Sequence, residues 1–388
     1  MRNSFFAALV GGLAALPYTV GAASDIVKGK VFDRFITIWL ENQDFAKAAV
    51  DKSLADLKKH GVSLTRYYAH THPSQPNYLA AIAGDYFGLN HDNEVRVPEN
   101  VSTVVDLLDT RNISWGGYFE DMPGPGFMGN YSDGTTGNGG WDYVRKHNPF
   151  VSFDSVTNNG TRLLCLNSFN EFHDDFTAKR VPQFVFMSPN MMHDGHNTSL
   201  ETATEWSHEF LQPLLKDDAF NERTLILLTF DESETYEEPN HIVSLLLGNA
   251  IPEELRGTQD DTFYTHYSIL SSIQNNWGLP HLGRYDVGAN VFRFAAETAR
   301  YGGNRDPTNL ATLDNSLSYP GFLHNETWLP IPIPNWRLGG AGGRGPLPAV
   351  EKIWHVPDGT PWETPYDGSG KVFDGAKNMP VYKPARAN

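Results

Sequence analysis

From Val31 to Leu247 the chain alternates apolar, strand-like runs with polar, helix-like stretches. The runs Arg34–Leu40, Ser63–Tyr68, Ser114–Phe119, Gln183–Ser188, Thr224–Phe230 and His241–Leu247 predict strands. The stretches Ser53–His60, Pro76–Ala83, Ser102–Leu108 and Glu201–Leu215 predict helices. This alternation predicts an α/β fold with a mostly parallel sheet. Four of the runs end abruptly in residues able to bind a metal or attack phosphorus. These endings are Glu41-Asn42, His72-Pro73-Ser74-Gln75-Pro76-Asn77, Asn190 with His193-Asp194-Gly195-His196, and Asp231-Glu232. Ligands collect at the carboxyl ends of strands in a parallel sheet, so the four endings together sketch one site.

The two ends of the chain depart from this pattern. Residues 1–22 have a basic Arg2, an apolar stretch Phe5–Leu16 and a small-residue Val20-Gly21-Ala22, the layout of a secretory leader. A membrane helix is the other reading, but the apolar stretch is short and is broken by Gly11, Gly12 and Pro17. Residues 23–327 are expected to form the main domain. Beyond Thr327 come ten prolines, the glycine-rich Gly339–Gly345 and four tryptophans. Such a segment makes no long helix, and its aromatic content argues against free disorder. Residues 328–388 are therefore expected to pack as an extended segment on the main domain. The stretch Pro123–Gly140 reads as a surface loop beside the site, whose Gly, Asn and Asp content offers little apolar rim.

Composition narrows the setting. The 388 residues carry a net charge of −16, made one unit more negative when Arg2 leaves with the leader. That charge excludes a general nucleic-acid or anionic-membrane binder, which needs basic patches. It suits small phosphate esters in an acidic medium. Sequons at Asn100, Asn112, Asn130, Asn159, Asn197 and Asn325 agree with a secreted glycoprotein, placed outside the cell or in the cell wall or periplasmic space. The single cysteine, Cys165, forms no intrachain disulfide and is expected to be a small buried apolar residue. Nothing in the sequence specifies an oligomer.

Ser74 has two readings. It sits at the amino end of a helix begun near Pro76 and closed by Gly84, where it could cap the helix. It could equally be a nucleophile, because free amides and the helix dipole favour an alkoxide and a bound phosphate there. Asn77 follows one turn on, able to donate its amide to a phosphoryl oxygen, and His70 and His72 lie just upstream. Glu41, Asn42, Asp231 and Glu232 make an oxygen-rich set that favours a hard divalent cation, although each acidic pair alone could be a solvated strand end. His193 and His196 could protonate a leaving alcohol, stabilise phosphoryl oxygens or bind zinc. Asp194, Lys146, His147 and His266 are further candidates for the substrate site.

These motifs resemble the phosphoesterase family of secreted acid phosphatases and bacterial phospholipases C, and fungal phosphate-repressible acid phosphatases look closest. The residues that carry the resemblance are Glu41-Asn42-Gln43-Asp44-Phe45, Pro73-Ser74-Gln75-Pro76-Asn77, Tyr143 with Lys146-His147-Asn148-Pro149, His193–His196, Phe230-Asp231-Glu232 and Thr265-His266-Tyr267-Ser268. They occur in the expected order from Val31 to Gly283. The resemblance implies an alkaline phosphatase-like three-layer sandwich and a phosphoserine intermediate on Ser74. It implies one metal on Glu41, Asn42, Ser74, Asp231 and Glu232, with calcium, magnesium or manganese favoured and zinc the alternative. It also implies phosphate contact or leaving-group protonation by His193, His196 and Asn77. The final pair is Asp-Glu where some relatives carry Asp-Asp. Two rival readings stand beside the monoesterase: a phosphodiesterase or phospholipase C using the same site, and a catalytically inactive secreted binding protein.

Overall fold

The computed structural model describes residues 26–134, 140–313, 315–357 and 362–372. The expected leader, residues 1–22, lies outside them. One sheet is built from β1 (Arg34–Leu40), β2 (Val62–Tyr68), β3 (Trp115–Phe119), β4 (Leu166–Ser168), β5 (Phe184–Ser188), β6 (Thr224–Phe230), β7 (His241–Leu247) and β8 (Thr258–Thr265). Its order is β4-β3-β5-β1-β6-β7-β2-β8. Only β7 runs antiparallel to its neighbours, so the sheet is mostly parallel as expected. The apolar runs become the central strands because residues there are covered on both faces, and every residue of β6 is buried.

Alternate side chains of the strands face two helical layers. Trp39 of β1 packs on Phe186 of β5 and on Tyr78 of the helix Ser74–Ala83, with ring centres 5.1 and 5.0 Å apart. Phe119 of β3 shares that face, while its neighbour Tyr118 points the other way onto Phe172. Phe172 in turn meets Phe210 of the helix Leu200–Lys216. The result is a three-layer α/β sandwich.

Two strands escaped the sequence pattern for physical reasons. β4 has only three residues, and β8 is a half-exposed edge strand whose Gln259, Asp260 and Asp261 break any apolar run. Cys165 also differs from expectation: it is half-buried, and its Sγ donates to the Thr161 carbonyl.

The Ser74 helix is anchored at both ends. All ten of its residues are buried. Gly84 closes it in the left-handed region (φ 70°), where a side chain would meet Asp286 Cβ at 3.2 Å. The buried Arg284 guanidinium donates to the Ala83 and Ser102 carbonyls at 2.8 and 2.9 Å. Later parts of the chain fold back on this region. The Tyr319 and Tyr366 hydroxyls both donate to the buried Asp85 carboxylate, one residue beyond the helix cap. No helix among the described residues is long and apolar enough to cross a membrane.

Candidate active site

Sheet register brings the strand endings together. Leu40 pairs with Phe230, so Glu41 and Asp231 begin side by side, and the Asp231 N–H donates to the Leu40 carbonyl at 2.9 Å. Glu41 N–H donates to the Asp194 carbonyl at 2.9 Å, which draws in the loop after β5. From the end of β2, the chain turns into the helix that starts at Ser74 itself, with Pro73 in the capping position.

Ser74 does not cap that helix. Its hydroxyl donates to Glu41 Oε2 at 2.9 Å and lies 3.3 Å from Glu232 Oε1. The amides expected to be free at this helix end are not all free either, because Gln75 N–H donates to Asp92 Oδ1 at 3.0 Å. One turn on, the Tyr78 hydroxyl donates to Glu41 Oε1 at 2.5 Å. The hydroxyl of Ser74 thus faces a nest of carboxylates.

Glu41, Asp194, Asp231 and Glu232 are all fully buried. Burial first, then the neighbouring Glu41 charge, pushes Asp194, Asp231 and Glu232 well above the ordinary carboxylate range. Among the described residues, Asn42 Oδ1, Asp194 Oδ2 and Asp231 Oδ2 are buried without a hydrogen bond. Buried oxygens without donors are costly unless a cation satisfies them. The donor set therefore fits a hard divalent cation. His147 stands within the nest, Nε2 3.1 Å from Glu41 Oε1 and Nδ1 3.4 Å from Asp194 Oδ2, though without hydrogen-bond geometry to Glu41. Glu41, His147 and Asp194 bring one ligand atom each within 4.8 Å of one another, so an imidazole-tolerant ion such as zinc also fits.

Other expected residues surround the nest in different ways. Lys146 donates to Asp92 Oδ2 at 2.9 Å. Burial works against its charge, but Glu41, Asp92 and Asp231 outweigh burial and raise its pKa, so it stays a cation. His196 N–H donates to Asp194 Oδ1 at 2.8 Å, and its ring centre lies 6.5 Å from that of His147. His193 turns to the side, with Nδ1 2.9 Å from both Glu120 oxygens and its ring stacked near Trp206. The Glu120 hydrogen bond is the main reason its pKa is raised.

Two expectations need correction. Asn77 does not offer its amide to a substrate: Oδ1 accepts from His70 N–H at 2.8 Å and Nδ2 donates to the Thr71 carbonyl at 2.8 Å. It clamps the turn that delivers Ser74. Asn77→Ala is expected to lower stability by about 1–3 kcal/mol, the cost of orphaning buried backbone groups, read as a lower melting temperature. Unchanged stability with weakened phosphate binding would return Asn77 to substrate contact. His266 is likewise a strut beneath the site. Its Nε2 donates to the Asp231 carbonyl at 2.8 Å, its ring leans on Trp39, and burial lowers its pKa to about 4.

Sequence reasoning missed several neighbours. Tyr78 could have been found, since a four-residue spacing places it on the Ser74 face of the helix. His72, noted only as adjacent, sets Nδ1 against Glu232 Oε2 and stacks under Tyr236 at 3.9 Å. Glu120 could have been found too, since Glu120-Asp121 directly follows the strand run Ser114–Phe119, whereas Asp92 and Tyr236 carry no such signal.

The model of the Phosphoesterase family matches residues 40–280. A probable acid phosphatase of Kluyveromyces lactis is 47% identical over 335 residues, covering 84% of this chain and 77% of that protein. An acid phosphatase of Aspergillus fumigatus is 51% identical over 297 residues, covering 76% of this chain and 65% of that protein. A looser likeness is to a crystal structure of a protein in the alkaline phosphatase superfamily from Vibrio parahaemolyticus, at TM-score 0.41 and 14% identity, covering 64% of this chain and 66% of that one.

Proposed function

The chain belongs to the Phosphoesterase family, and from that membership we propose that it is a secreted acid phosphatase that hydrolyses phosphate monoesters through a phosphoserine on Ser74. The observation that carries the reading is the Ser74 hydroxyl, held at the first residue of a buried helix with Glu41 Oε2 2.9 Å away. The fungal relatives named acid phosphatase support the reaction class.

Ser74 Oγ attacks phosphorus in line. The Oγ–P bond forms as the bond from phosphorus to the leaving alcohol breaks, and the hydroxyl proton passes to Glu41 Oε2. Lys146 supplies a fixed positive charge beside Glu41 and Asp231. His196, near His147 and tied to Asp194, is placed to protonate the leaving oxygen, whereas His193 is held aside by Glu120. Water then attacks from the vacated side and gives a proton to His196, and as the P–Oγ bond breaks Glu41 returns its proton to Ser74 Oγ. A divalent cation held by Glu41, Asn42, Ser74, Asp231 and Glu232, or by the Glu41–His147–Asp194 group, would act as a Lewis acid that lowers the Ser74 pKa and offsets phosphoryl charge. Outward-facing Asn100, Asn112, Asn130, Asn159, Asn197 and Asn325 are all exposed, which supports glycosylation and with it secretion.

The diesterase reading gains one observation. Beside the site Trp141 and Tyr236 are exposed at 53% and 47%, an apolar contribution from outside the Pro123–Gly140 loop. A direct comparison tests it: wild-type protein at about pH 5 on an aryl phosphate monoester and the matching diester. The monoester should win in kcat/KM by at least about tenfold, roughly 1.4 kcal/mol of transition-state binding. A diester preference overturns the monoesterase assignment.

A further inference from the structure

Next to Ser74 a cleft of about 360 Å³ opens, lined in part by Gln75, Asp92, Glu94, Trp141, Arg145 and Lys146. Two residues join it to the catalytic nest. Gln75 directly follows Ser74 and gives its N–H to Asp92. Lys146 donates to Asp92 Oδ2 at 2.9 Å and is close enough to Glu41 and Asp231 for their charges to act on it. An ester whose phosphorus meets Ser74 would place its alcohol here.

The lining says what kind of alcohol. Its charges are matched: Lys146 bonds Asp92, and Arg145 Nε lies 3.9 Å from Glu94 Oε1. Neither a cationic nor an anionic leaving group finds an unbalanced partner. Trp141, 53% exposed, offers a flat apolar wall, while the rest of the lining is rich in hydrogen-bonding groups. The volume sits at the small end of ligand pockets, about 300–1,000 Å³. That is room for one ring and too little for a pair of acyl chains. We infer that the cleft binds the leaving alcohol and selects a neutral, hydroxyl-bearing ring, as in a hexose phosphate. The apolar ring face rests on Trp141, and ring hydroxyls donate to the Glu94 carboxylate. This inference rests on the phosphatase reading above.

The test compares kcat/KM for hexose 6-phosphate and ethyl phosphate, an ester too small to reach Trp141. Wild type, Trp141→Ala and Glu94→Ala are assayed as secreted protein. Because Asn130, a sequon asparagine, also lines the cleft, glycans are removed enzymatically first. Wild type should prefer the hexose ester. Trp141→Ala should lower the hexose-to-ethyl ratio about fivefold to tenfold through KM, the scale of a lost ring contact. Glu94→Ala should lower it about twofold to tenfold, the scale of a lost hydrogen bond. An equal ratio in all three proteins, with ethyl phosphate still hydrolysed, overturns the cleft assignment and leaves the phosphatase reading standing. Failure of wild type on both esters overturns the phosphatase reading and the cleft with it. Melting temperatures show whether either variant is misfolded, in which case the other decides.

Discussion

Ser74→Ala is expected to reduce kcat on any monoester by on the order of 10⁴-fold or more, the scale seen when an enzyme loses its nucleophile. The size follows from geometry. The hydroxyl is buried, held at the start of a rigid helix, and supplied with carboxylate acceptors at 2.9 and 3.3 Å. Among the described residues, no other hydroxyl donates to both Glu41 and Glu232. Wild-type protein quenched in acid during turnover of labelled substrate should carry phosphate on Ser74, and the alanine variant should carry none. The fold should survive, because Ser74 is small and its helix is anchored by Gly84 and Arg284. Activity retained by a folded Ser74→Ala protein would remove the phosphoserine from the mechanism.

Metal removal should produce the second large effect. Chelation is expected to lower kcat on the order of 10²- to 10³-fold, since Lewis-acid stabilisation of phosphoryl charge is worth several kcal/mol. It should also change how stability depends on pH. In the metal-free protein, burial and then the Glu41 charge raise the Asp194, Asp231 and Glu232 carboxyls. Lys146 opposes the shift and Asp92 adds to it at Glu232, while burial keeps the neighbouring His147 neutral. A carboxyl raised above its unfolded value, about 4, binds its proton more tightly in the folded chain. Its contribution is complete below that unfolded value and is lost as pH rises through the folded one. Chelated protein should therefore melt highest in acid and lose stability toward neutral pH. Restored divalent cation should raise the melting temperature most at neutral pH, where the carboxylates are charged. Full activity after chelation, or a metal-free melting temperature that rises from acid to neutral pH, would contradict the cation assignment.

How much of this was legible beforehand can be judged residue by residue. β1, β6 and β7 appear at their predicted limits, because a strand buried along nearly its whole length is written as an almost unbroken apolar run. β2, β3 and β5 appear within one residue, although in β2 the buried Val62, Leu64 and Tyr67 are interleaved with half-buried Ser63, Thr65, Arg66 and Tyr68. The break in each run then marks where chemistry can begin, which is why Glu41, Ser74, Asp194 and Asp231 could be named without coordinates. Ser74 was ambiguous only because capping and nucleophilic serines share the same local signature. Its hydroxyl partners Glu41 and Glu232 lie 33 and 158 residues away in sequence, so only the folded chain could show that this serine does not cap its helix.

What the chain alone determined is the parallel α/β core, the strand ends and the residue types gathered there, since hydrophobic period and turn chemistry are local properties. Tertiary structure alone decided the division of labour among those residues. Asn77 and His266 became struts, His193 was claimed by Glu120, and Tyr78, His72 and Asp92 entered the site. A side chain's role depends on which groups it is buried against. Here those groups come from strands and loops that meet only when the sheet brings them into register.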